Sequence, residues 1–198
     1  ALIIAVSLIT IILVSQFNSV VKPLIIIASV VFSITGVFGG LATFKMDFIV
    51  IMTGIGIVSL AGVVVNNAIV LIDYIDLLKR RKRKELGISE SAPLSKQDNM
   101  TCVIQAGKTR LRPVLLTAIT TILGLLPMAI GLNINFATLL SELDPQIYFG
   151  GDNMVFWGPL AWTVIFGLTF ATFLTLVIVP SMYQFSYLIK LKFVSNKQ

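Results

Sequence analysis

The run "SLAGVVVNNAIVLIDY", Ser59 to Tyr74, holds two adjacent carboxamides, Asn66 and Asn67, among Val, Ile, Leu and Ala. An amide buried without a partner costs about 2–7 kcal/mol, so these two groups need either partners or a function. On a helix, Asn66, Val70 and Asp73 share one face and Asn67 points about 100° away. A second polar set lies further on. Thr117 and Thr121 stand four residues apart and present one hydroxyl face, with Thr120 beside them and Arg112 just before Pro113. Carboxamides and hydroxyls in an apolar helix can join helices or line a polar route for ions. The residues alone leave both readings open. Arg112 likewise either snorkels to a membrane surface or reaches inward to a buried acid.

The other chemistries lack their parts. The 198-residue chain has no histidine and one cysteine, Cys102. That removes the Ser–His pair, the commonest metal ligand and any internal disulfide. No acidic cluster has metal-ligand spacing, and no glycine-rich phosphate loop is present. The sequence therefore predicts no enzyme, no catalytic residue, no metal and no cofactor.

The elements that hold these residues are set by hydropathy. The chain is 57% hydrophobic and 12% charged, against about 25% charged in soluble domains, and its mean hydropathy is +0.97. A helix crosses the hydrocarbon layer with about 20 apolar residues. Five spans follow, at 1–17, 24–44, 48–73, 113–132 and 159–187. The first reads as a span cut at its start, with no basic region or cleavage site of a signal peptide. Pro23, Pro113 and Pro159 fall at span starts, where a missing N–H costs little. Pro127 and Pro180 fall where kinks or breaks are expected. The fold class is an all-α membrane protein, a polytopic bundle of about five helices. Gly36 and Gly40 in the second span, and Gly54 and Gly62 in the third, are the candidates for close helix packing. Trp157 and Trp162 fit an interfacial aromatic belt.

Charge sets the orientation. Ten of the fifteen Lys and Arg residues lie between Lys79 and Arg112, including "KRRKRK". The positive-inside rule puts this segment in the cytoplasm. Alternation then places Lys22 and the tail lysines Lys190, Lys192 and Lys197 inside. It places the 133–158 loop, with Glu142, Asp144 and Asp152, outside, so the chain enters from outside at Ala1 and its C-terminus is cytoplasmic. The predicted organisation is helices over 1–73, then a basic cytoplasmic loop over 74–112. Within that loop "MTCVIQAGKTRLR" forms a short surface helix. The last two spans occupy 113–188 around the outer loop, and a tail follows at 189–198. The basic run suits anionic membrane lipids. It lacks the interleaved aromatics of a nucleic-acid surface, so no nucleic-acid partner is expected.

Four motifs occur in order: "SQFNS", "GIVSLAGVVVNNAIVLIDY", "RLRPVLLTAITTILGLLPMA" and "VIVPSMY". Together, from about Ala1 to Tyr187, they resemble the C-terminal membrane part of resistance–nodulation–division (RND) efflux transporters, of the hydrophobe/amphiphile type. The resemblance implies the eighth to twelfth helices of a twelve-helix, proton-driven pump in the bacterial inner membrane, exporting drugs or other amphiphiles. It implies a homotrimer, a periplasmic adaptor protein, an outer-membrane channel, and an N-terminal part of the same protein that carries the acidic proton-binding helix. By motif, Asn66 takes the place of a family lysine, Asn67 follows it, Arg112 matches an arginine and Thr117 a threonine, making these four the proton-relay candidates. Asn66 departs from the family pattern, since an amide offers only hydrogen bonds where the lysine offers charge. A related branch carrying metals, lipids or proteins, and a non-transporting scaffold, are the alternatives; the 133–158 loop is longer than expected for drug pumps.

Overall fold

The computed structural model describes residues 2–17, 19–89, 92–135, 140–141, 143 and 146–195. Ala1, the loop acids Glu142 and Asp144, and the tail lysine Lys197 lie outside the described residues, as do the side chains of Lys190 and Lys192. Five helices follow in order: α1 (Leu2–Phe17), α2 (Val21–Thr43), α3 (Val50–Glu85), α4 (Lys96–Ala129) and α5 (Asp152–Ser195). A two-residue antiparallel ladder joins β1 (Leu132–Asn133) to β2 (Tyr148–Phe149), with Leu132 opposite Phe149. The molecule is an all-α membrane helix bundle. Its helices α2 to α5 are each long and apolar enough to cross a membrane. α1 has 16 residues, about 24 Å, which is short of a 30 Å hydrocarbon layer.

Three boundaries differ from the sequence reading. The third span runs on from Asp73 to Glu85, so "KRRKRK" is helix rather than loop. Lys and Arg are good helix formers, and hydropathy marks where a membrane ends, not where a helix does. The end is set by Gly87, whose φ of +67° suits a residue without Cβ. Ile88 N–H reaches Arg83 O at 3.1 Å and Gly87 N–H reaches Lys84 O at 3.2 Å, the paired bonds of a Schellman cap. The expected surface helix is not separate from the fourth span: both belong to α4, which continues through Pro113. Its start is capped by Ser95, whose Oγ accepts the Asp98 N–H at 3.0 Å, satisfying an orphan donor. α5 begins at Asp152, inside the expected outer loop and seven residues before Pro159, and it passes through Pro180 without a break.

α5 is the hub, packing against α2, α3 and α4. Small residues make this possible. A Cβ added at Gly167 would fall inside the Leu60 side chain of α3 and come within 2.8 Å of Val37 of α2. Leu60, Val37 and Leu168 are fully or almost fully buried in the same core. At the end opposite the basic segment, Phe44, Trp162 and Phe166 stack on one another. There Trp162 Nε1–H donates to Ala129 O at 2.9 Å, tying the end of α4 to α5.

Candidate functional site

The apolar periodicity of α3 decides where Asn66 goes. Leu60, Ala61, Val64, Val65, Ala68, Leu71, Ile72 and Ile75 bury one side of the helix against α5 and its neighbours. The other side carries Ile51, Ile55, Ser59, Gly62, Asn66, Val70, Asp73 and Leu77, and all of these are exposed. Asn66 sits in the middle of this uncovered stripe, and Asn67, one residue round, is half-buried. Asn66 is about 15 Å along the helix from Asp76.

Arg112 and Thr117 are exposed on α4. The threonine hydroxyls turn back on their own helix: Thr117 Oγ1 donates to Val114 O at 3.0 Å, Thr120 Oγ1 to Leu116 O at 2.9 Å and Thr121 Oγ1 to Thr117 O at 2.8 Å. Such bonds satisfy the donor and leave the oxygen able to accept. Among the described residues, no hydrogen bond or ion pair joins Asn66, Asn67, Arg112 and Thr117 to one another. The four do not form a closed site within this chain.

The glycines divide in two. A Cβ at Gly36 would collide with Phe170, and one at Gly40 with Phe166, so α2 lies hard against α5 at both positions. Gly54 and Gly62 have nothing within 4 Å of a would-be Cβ. They do not pack against another helix of this chain, because they fall on or beside the uncovered stripe of α3. Gly56, which the sequence reading did not single out, fills the packing role on α3, with Thr163 of α5 at 2.9 Å from its Cβ position.

A second polar constellation, missed in the sequence, closes the basic end of the bundle. Asp76 of α3 accepts from Lys22 Nζ of α2 at 2.6 Å and from Tyr183 Oη of α5 at 2.6 Å. Lys79, one turn further along α3, is only 6% exposed. Its ammonium lies 3.4 Å from Tyr183 Oη and 4.2 Å from the centre of the Tyr187 ring, and a cation over an aromatic face is attracted by the ring quadrupole. Tyr187 Oη then donates to Leu94 O at 2.8 Å, and Arg83 Nε to Ala92 O at 3.0 Å, pinning the α3–α4 linker. Asn99 of α4 donates to Gln184 of α5. About three turns further along α4, the Arg110 guanidinium lies 4.5 Å from the Tyr74 ring centre. The signal was present: Asp76 and Lys79 continue the buried Ile72–Ile75 face at helical spacing. The charge count takes Lys79 only as part of the basic segment and passes over Asp76. Among the described residues, no group of three or more His, Cys, Asp or Glu could hold a metal ion.

Comparison with known proteins gives the family. The model of the AcrB/AcrD/AcrF family matches residues 1–134. The swarming motility protein SwrC of Bacillus subtilis is 35% identical over 184 residues, which are 93% of this chain and 14% of SwrC. The multidrug resistance protein MdtC of Erwinia tasmaniensis is 27% identical over 181 residues, 91% of this chain and 15% of MdtC. A solved structure of a heavy metal efflux pump superposes with a TM-score of 0.64 at 26% identity, covering 93% of this chain and 14% of that one. The chain thus spans only about 14% of the length of such relatives. Members of the family are transporters, not classical enzymes, and the four long apolar helices make this a multi-pass membrane segment. The chain belongs to the AcrB/AcrD/AcrF family, the RND transporters.

Proposed function

We propose that this segment is the second-half membrane bundle of a proton-driven exporter in the bacterial inner membrane, with its C-terminus in the cytoplasm. The observation that carries the reading is the uncovered stripe of α3 with Asn66 at its centre. A carboxamide held at mid-helix on an apolar face is stable where another polar helix meets it. In this reading the partner is the acidic helix from the N-terminal part of the same protein. Carboxylates there load and release protons, and Asn66 and Thr117 lie on the path that couples this to helix movement. Asn66 supplies hydrogen bonds but no charge. In this reading the guanidinium of Arg112 supplies the charge that compensates the acid. The assembled pump is a homotrimer working with a periplasmic adaptor and an outer-membrane channel.

The cargo in this reading is a drug or another amphiphilic compound, as the name of MdtC suggests for that relative. Metal export is the second reading, favoured by the likeness to a heavy metal efflux pump. The test reconstitutes the full-length protein in proteoliposomes under an imposed pH gradient, offering a cationic amphiphilic dye and Zn²⁺ in parallel. Dye movement that collapses with a protonophore is the expected result. Zn²⁺ movement alone moves the assignment to metals, and movement of either cargo that ignores the gradient refutes proton coupling.

A further inference from the structure

Four polar residues stand on the uncovered face of α3 at one spacing: Ser59, Asn66, Asp73 and Arg80, seven residues apart and all exposed. Seven residues make two helical turns less about 20°, so the four lie almost in line, with about 10.5 Å between neighbours. Ile55, Gly62, Val70 and Leu77, also exposed, alternate with them. A face turned only to lipid tails carries no such row, because polar and charged side chains facing hydrocarbon are costly. Contacts repeated every seven residues are instead the seam of a helix pair.

The row runs toward the basic end, and its members differ in what they do with a proton. The Ser59 hydroxyl and the Asn66 carboxamide neither gain nor lose one near neutral pH, and Arg80 keeps its own. On this row only the Asp73 carboxylate takes up a proton and gives it back. Among the described residues no hydrogen bond or ion pair engages it. The other carboxylates on this part of α3 are engaged: Asp76 accepts from Lys22 of α2 and Tyr183 of α5, and Glu85 from Lys82 at 3.2 Å. From α4 the cation at this level is Arg110, held over the ring of Tyr74, the residue next to Asp73. A proton that leaves a carboxylic acid opposite Asn66 has about 15 Å to travel along α3 before it reaches the Asp76 level. Asp73 stands about 10.5 Å along that way, on the same face. We infer that Asp73 is the proton-releasing group of this segment, taking the proton from the partner helix through water along the stripe and passing it to the cytoplasm. The inference rests on the proton coupling proposed above. The step balances with no further reactant. The O–H bond of the partner's carboxylic acid breaks as the Asp73 carboxylate gains the proton, and the Asp73 O–H bond then breaks to give hydronium in cytoplasmic water.

The test uses the full-length protein in proteoliposomes, with ethidium as cargo, or Zn²⁺ where the wild type moves that instead. Two quantities are read for the wild type, Asp73→Asn and Asp73→Glu. One is proton flux under an imposed pH gradient, followed by an entrapped pH-sensitive dye. The other is cargo exchange at equal pH on both sides, which needs no net proton transfer. Asp73→Asn should lower the flux about a hundredfold, within the range a positioned proton-transfer group contributes, and leave exchange within about twofold of the wild type. Asp73→Glu, which keeps a carboxylate on the row, should retain most of the flux. Unchanged flux in Asp73→Asn overturns the inference. So does a joint loss of flux and exchange, which marks a packing role, and so does an Asp73→Glu variant no better than Asp73→Asn. A wild type without gradient-driven flux overturns the proton coupling itself, and the inference with it.

Discussion

Replacing Asp76 by Asn tests how the basic end of the bundle is held. The carboxylate accepts from Lys22 and Tyr183 at 2.6 Å each. The Lys22 and Asp76 side chains are 25% and 18% exposed, so this pair lies between a surface ion pair, worth about 0–1 kcal/mol, and a buried one. About 1 kcal/mol is assigned to it. The Tyr183 hydroxyl is buried, and a hydrogen bond to a charged group contributes about 1.5–3 kcal/mol. Asp76→Asn keeps the shape but removes the charge that faces Lys22 and the buried Lys79. The expected loss is about 3 kcal/mol, of which about 2 kcal/mol belongs to the Tyr183 contact. The assay is denaturant unfolding of the full-length protein in mixed micelles, run as a cycle of Asp76→Asn, Tyr183→Phe and the double variant. A coupling near 1.5–2 kcal/mol is predicted. Additivity within about 0.5 kcal/mol would show that the two side chains do not act as a unit and would refute the reasoning.

Other outcomes follow from the packing and caps. Gly167→Ala should destabilise the same protein by about 1–3 kcal/mol through overpacking, because its Cβ would intrude on Leu60 and Val37; a neutral result in the same unfolding assay would mean α5 does not sit that close. A Cβ at Gly62 meets nothing within 4 Å and the position is exposed, so Gly62→Leu should leave detergent stability of a purified 1–198 segment unchanged yet reduce transport by the full-length pump; intact transport would argue against a helix seated on that stripe. Gly87→Ala, at a φ of +67°, should cost about 1 kcal/mol and speed hydrogen exchange in the last turn of α3, and unchanged exchange there would count against the cap.

The sequence carried the class and family well, because both rest on redundant signals: long apolar runs, a charge-biased segment and four ordered motifs. Boundaries were less legible. Hydropathy falls at Asp73 although the helix continues to Glu85, since solvated Lys and Arg sustain a helix as well as membrane-buried Val and Ile begin one. Pro113 misled in the same way, as its local preference for a start yields to a helix already running from Ser95. Gly167 was passed over because its importance comes from α2 and α3, far away in sequence. Lys22, Asp76, Lys79 and Tyr183 come from three helices, and no local pattern joins them. Asn66 remained legible as an oddity, but its setting depends on chain beyond these helices.

The central claim is that Asn66 couples protons to transport through a partner helix on the uncovered face of α3. The most direct measurement is substrate-linked proton flux, read by a pH-sensitive dye inside proteoliposomes holding the full-length protein, for the wild type, Asn66→Gln and Asn66→Leu. The account predicts that Asn66→Leu, which removes every hydrogen bond at that position, abolishes the flux, and that Asn66→Gln, which keeps the amide, retains part of it. Flux and its pH dependence left unchanged by Asn66→Leu would contradict the account.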